Sequence, residues 1–153
     1  MTDNEILIIH GTEYKTMTKK LLEEADLEER IREKAGGRGK NLKIGIKPNL
    51  VAPSDASYGA TTHPEIVAGI IEYLQERNYR NLIILEGSWV GDRTEESFEV
   101  CGYNRLAETY GVTLVDTQKD RVSLHNCKGM ELAVCDSADQ LHFLINVPVL
   151  KGH

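Results

Sequence analysis

The stretch from Lys43 to Pro64, KIGIKPNLVAPSDASYGATTHP, gathers the residues best suited to chemistry. Lys47 offers an ammonium, and Asn49 and Thr62 offer hydrogen-bonding groups. His63 can serve as an acid, a base or a metal ligand. Further along, Glu86 and Ser88 follow one apolar run, Asp116 follows another, and Lys151 and His153 follow a third. Two lysines with amide and hydroxyl groups suit an anion such as phosphate or carboxylate. Lys47, Asn49, Thr62, Ser88 and Lys151 are therefore the candidates for holding a ligand or cofactor. His63 and Glu86 are the candidates for catalytic proton transfer.

Each of these residues also has a plainer reading. Lys47 is either a ligand-binding lysine or a surface lysine reaching out from a strand end. His63 is either functional or a helix-start residue held by local hydrogen bonds. Glu86 is an ion-pair partner of Lys47, a general base or a metal ligand. Ser88 has no GxSxG setting, which argues against a hydrolase nucleophile. His63, Glu86 and His153 are proper ligand types for zinc, nickel or iron, but no short-range spacing links them, so no metal is assigned.

Two glycine-rich segments call for the same weighing. Gly36 to Asn41, GGRGKN, contains Gly39-Lys40 but follows a helical pattern, opens a strand and lacks Ser or Thr after the lysine. It is a helix stop and basic turn rather than a phosphate-binding P-loop. Gly87-Ser88-Trp89-Val90-Gly91 lies between a strand and a helix, the correct context for a phosphate-cradling turn. Its spacing is not that of a dinucleotide fingerprint. A flexible turn with an exposed tryptophan is an equal reading, and Trp89 is also suited to covering a planar ligand.

The elements that must position these residues follow from hydrophobic period. Ile6–Ile9 reads as a first strand, and Leu42–Ile46, Leu82–Leu85, Val112–Val115 and Leu141–Val147 read as further strands. Tyr14, Met17, Leu21, Leu22 and Ala25 mark an amphipathic helix. It continues towards Ile31 as one long helix or, if Asp26 and Glu29 cap a new start, as two. Thr62 and Glu65 have capping-box spacing, with Pro64 in the first turn of a helix whose buried stripe includes Ile66, Ile70, Ile71 and Leu74. Asn78 is its expected stop. Apolar residues alternate on both sides of Asn126-Cys127-Lys128-Gly129, which predicts a β-hairpin near residues 121–135.

Alternating strands and helices predict an α/β fold, three layers in α/β/α order around a mainly parallel Rossmann- or flavodoxin-like sheet. Parallel strands end together, so the polar residues that follow them should converge on one edge. The 153 residues suffice for a single α/β domain. A chain finishing on polar residues just past a core strand reads as the N-terminal fragment of a longer protein, so the missing C-terminal region is an expected partner.

Composition narrows the function further. A net charge of −6 disfavours broad binding to nucleic acid or to an anionic membrane. The N-terminus lacks the basic start and apolar core of a signal peptide, and no apolar run approaches membrane-span length. These features predict a cytoplasmic protein. Cys101, Cys127 and Cys135 have no CxxC spacing, which argues against a disulfide framework or a metal cradle.

Several motifs then occur in order: Lys47-Pro48-Asn49-Leu50-Val51, Ala60-Thr61-Thr62-His63-Pro64-Glu65, Glu86-Gly87-Ser88, Gly102-Tyr103, and Asn146 through His153. Together they resemble the family known as domain of unknown function 362. The resemblance implies no settled activity. Many members carry a pair of iron–sulfur clusters in a separate Cys-rich segment. That segment is not present here, so no iron–sulfur cluster is expected in this chain and the cofactor stays unknown. Two expectations result. The first is an uncharacterised-family domain that binds an anionic small molecule or cofactor at the C-terminal edge of its sheet. The second is a non-catalytic docking scaffold for a C-terminal or iron–sulfur module of a redox protein.

Overall fold

A computed structural model describes residues 5–151. Four strands, β1 (Ile44–Pro48), β2 (Leu82–Glu86), β3 (Thr113–Asp116) and β6 (Phe143–Val147), form a sheet in the order β3-β2-β1-β6. All three strand pairs are parallel. Between β3 and β6 the chain makes a separate antiparallel hairpin, β4 (Val122–Cys127) with β5 (Met130–Cys135). The expected α/β class, parallel sheet and hairpin are all present. Lys128 and Gly129 both take positive φ in the two-residue turn, the geometry that matches strand twist.

Sheet register divides the apolar residues by face. Ile44 and Ile46, Leu82 and Ile84, Leu114, and Phe143, Ile145 and Val147 share one face. They join a core built with α2 (Leu27–Lys34), α3 (Pro64–Glu76), α4 (Thr94–Val100) and α5 (Tyr103–Tyr110). Ile83 and Leu85 are buried on the opposite face. Every β2 residue is thus out of water, as its uninterrupted apolar run requires.

The first two helices are separate. α1 (Tyr14–Glu24) and α2 are divided by Asp26, which sits at φ 52° and makes no side-chain cap. α1 packs on α3 through Gly69. A β-carbon at position 69 would lie 2.7 Å from the Lys15 carbonyl oxygen and 2.9 Å from Thr18 Cβ. The helices can approach this closely because that carbon is absent. Charged groups then rim the contact. Glu72 accepts hydrogen bonds from Lys15 Nζ at 2.9 Å and from the Tyr110 hydroxyl at 2.7 Å.

Three expectations need correction. Ile6–Ile9 is not a strand; no described strand pairs with it, and Ile6 and Ile8 are 83% and 87% exposed. Its β-branched residues favour extended backbone, but a strand needs a neighbouring edge. The strand expected over Leu42–Ile46 lies two residues later, over Ile44–Pro48, and ends at Pro48, which pairs with Val147. Thr62 does not cap α3; His63 occupies that position without a side-chain cap bond. Asn78 behaves as expected, turning the chain at φ 65° two residues past α3.

Among the described residues no helix is long and apolar enough to cross a membrane.

Two outcomes test this packing. Gly69→Ala forces α1 away from α3 and should lower stability by about 1–3 kcal/mol, read from a urea unfolding curve. The Tyr110 hydroxyl, and then Lys15, hold the Glu72 carboxyl below its ordinary range. A depressed folded-state pKa stabilises above the unfolded carboxylate pKa, and that contribution is lost as pH falls through the folded value. Glu72→Gln should therefore lower the melting temperature at neutral pH and flatten its acid decline. An acid limb identical to wild type would refute the assignment.

Candidate functional site

The parallel strands bring their C-terminal ends to one edge, and Glu86 anchors it. Glu86 is the last residue of β2 and is buried. Its Oε1 accepts from the Gly87 N–H at 2.8 Å and lies 3.0 Å from Lys47 Nζ. Its Oε2 accepts from the Leu50 N–H at 2.8 Å and from Lys47 Nζ at 3.1 Å. Lys47 also donates to the Pro48 carbonyl at 3.1 Å. The pair is asymmetric, with the Lys47 side chain 41% exposed and that of Glu86 5%. A cation half in water thus stands on a buried carboxylate.

Ser88 fastens the same loop from the other side. Its hydroxyl lies 2.7 Å from the Leu50 carbonyl and 2.8 Å from Ser97 Oγ. The Ser88 N–H donates to Thr94 Oγ1, and the Trp89 N–H donates to the Val51 carbonyl at 2.9 Å. Leu50 is therefore bonded on both sides, its N–H to Glu86 at the end of β2 and its C=O to Ser88, while the Val51 C=O is bonded to Trp89. Ser88 and Ser97 are buried.

A third set of bonds ties β1 to β6. Thr62 Oγ1 accepts from the Asn49 N–H at 2.9 Å and donates to the Val147 carbonyl at 2.8 Å. This cross-link occupies the hydroxyl that the sequence pattern assigned to a helix cap. Asn49 Nδ2 and Lys151 Nζ both donate to the Ala60 carbonyl, at 2.8 and 3.2 Å. Tyr103 donates to the Thr62 carbonyl at 3.0 Å. The β1 and β6 ends are non-consecutive neighbours, the kind of place where open α/β sheets hold ligands.

His63 stands apart from Glu86. Its ring centroid lies 4.4 Å from that of Tyr14, and Nδ1 is 3.9 Å from Glu65 Oε2. The Ser57 hydroxyl and N–H hold the Asp55 carboxyl below its usual range, with a smaller contribution from nearby His63. A groove of about 390 Å³ beside this helix start is lined by Lys15, Pro64, Ala68 and Leu106 among others, not by Lys47 or Glu86.

The structure thus unites Lys47 with Glu86, and Asn49 with Thr62 and Lys151. Ser88 joins the first group through Leu50, while His63 faces Tyr14. Sequence reasoning missed Ser97, Thr94 and the backbone groups of Leu50 and Ala60. Backbone donors and acceptors leave no residue-type signal. Among the described residues no group of three His, Cys, Asp or Glu is placed to hold a metal, and His153 lies outside them.

A family model described as a domain of unknown function, DUF362, matches residues 44–153. The chain belongs to that family. No curated protein and no solved structure matches it. The DUF362 span begins at β1 and so takes in the whole sheet and every residue of the strand-edge network, while α1 and α2 precede it.

The carboxylate can be tested directly. Both Glu86 oxygens accept a backbone N–H, so an amide nitrogen at either position would face a donor. Glu86→Gln should cost about 1–3 kcal/mol despite its unchanged shape, measured as a lowered urea midpoint. An unchanged midpoint would mean that the carboxylate does not hold the loop.

Proposed function

We propose that the C-terminal edge of the sheet binds an anionic small molecule or cofactor. The observation that carries this reading is the Lys47 ammonium, fixed at a strand end by buried Glu86 with 41% of its side chain still exposed. Lys151 adds a second ammonium, bonded to a neutral carbonyl. Asn49, Thr62 and Ser88 serve this site by shaping its loops, since their side chains already bond within the protein. Glu86 positions Lys47. His63, 30% exposed at the start of α3, would exchange a proton only with a ligand that extends from Lys47 towards Tyr14, which the ring faces.

Calorimetric titration with inorganic phosphate tests this reading. Wild type should bind saturably, and Lys151→Met should weaken binding about tenfold, the order expected for one charged hydrogen bond. The double variant Lys47→Met/Lys151→Met should abolish it while circular dichroism confirms folding. Absence of saturable binding, or a folded double variant that binds like wild type, would refute the reading.

A second reading is favoured by a specific feature. Leu150, Trp89, Val90 and Tyr58 are all exposed on loops or turns that follow β6, β2 and β1. Such apolar exposure fits a docking face for another protein module, an iron–sulfur module included.

A further inference from the structure

We propose that the anion taken at this edge carries a planar aromatic group, and that Trp89 is the surface on which that group stacks. The inference rests on the anion-binding reading above and names its ligand class: an aryl phosphate or aryl carboxylate. Trp89 is the chain's single tryptophan and is 71% exposed. Large aromatic side chains gain by leaving water, so an indole presented this openly is suited to a flat partner. Its backbone is not loose. The Trp89 N–H is held by the Val51 carbonyl at 2.9 Å, and its own carbonyl accepts from the Asp92 N–H at 2.9 Å.

The placement links Trp89 to the lysine. Leu50 N–H bonds Glu86, and Glu86 bonds Lys47, so the chain that carries the indole is fastened beside the residues that carry the charge. Tyr58, also exposed, lies on the long connection that leaves the adjacent strand β1. The segments that follow two neighbouring strand ends, β1 and β2, therefore each carry an exposed aromatic group, and Lys47 lies near the end of one of those strands. An inorganic anion would use only the charge. An aryl anion would use both, because stacking on an aromatic side chain is tolerant of substituents and adds to the ionic contact.

Phenyl phosphate and inorganic phosphate, each titrated into the same protein, separate the two contributions. Phenyl phosphate should bind about tenfold more tightly and change Trp89 emission. Trp89→Ala should reduce its affinity to that of phosphate and leave phosphate binding unaltered. Trp89→Phe should recover part of the difference. Equal affinities for the two probes would overturn the aromatic class while leaving the anion site standing. A phenyl phosphate advantage that survives in Trp89→Ala would also overturn it, because the ring would then lie elsewhere. Binding of neither probe would remove the anion site itself, and this inference with it.

Discussion

A buried carboxylate must be fully paired or it will not stay charged in the interior, and this requirement organises the C-terminal edge of the sheet. Glu86 ends the most enclosed strand of the sheet. It meets its need with two backbone N–H groups and one lysine. Each of those donors belongs to a segment whose path is then no longer free. Leu50 fixes the exit from β1, Gly87 fixes the exit from β2, and Lys47 is drawn across between them. The strand ends could diverge into independent loops. Instead they form one bonded unit.

Other polar residues extend the same logic outward. Thr62 joins β1 to β6, and Ser88 closes on Leu50 from the side of β2. These residues have the types and positions expected of ligand contacts, yet their hydrogen bonds are already committed to the backbone. What they provide is a cross-linked set of loops at the strand ends. The groups left partly facing water include Lys47, Lys151, His63, and the aromatic and aliphatic side chains of the surrounding loops.

This division explains what could be read from the sequence. Hydrophobic period is a property of the chain itself, so β2, α3 and the β4–β5 hairpin were legible from Leu82–Leu85, from Ile66 to Leu74 and from the residues flanking Lys128-Gly129. The polar residues after the strands were also legible as a group, because a parallel sheet sends its strand ends to one edge. Their individual roles were not. A threonine that caps a helix and one that bridges two strands look alike, and Thr62 does the second. The Ile6–Ile9 run failed for a related reason. Its residue types favour a strand, but pairing depends on an edge that local sequence does not describe.

The balance of charge at the edge limits what can cover it. Glu86 offsets Lys47, but among the described residues Lys151 has only the Ala60 carbonyl and no carboxylate. A purely apolar cover would strip water from a half-exposed ion pair and from an uncompensated ammonium, and desolvating such groups costs more than their remaining contacts return. An occupant that brings negative charge restores what the lost water supplied. The exposed side chains of Trp89, Val90 and Leu150 reward the same occupant for bringing apolar surface. The requirement applies equally to a small molecule and to a protein module. On the proposed reading, what closes over Lys47 is amphipathic, with its negative charge facing the strand ends and its apolar part lying against the loops.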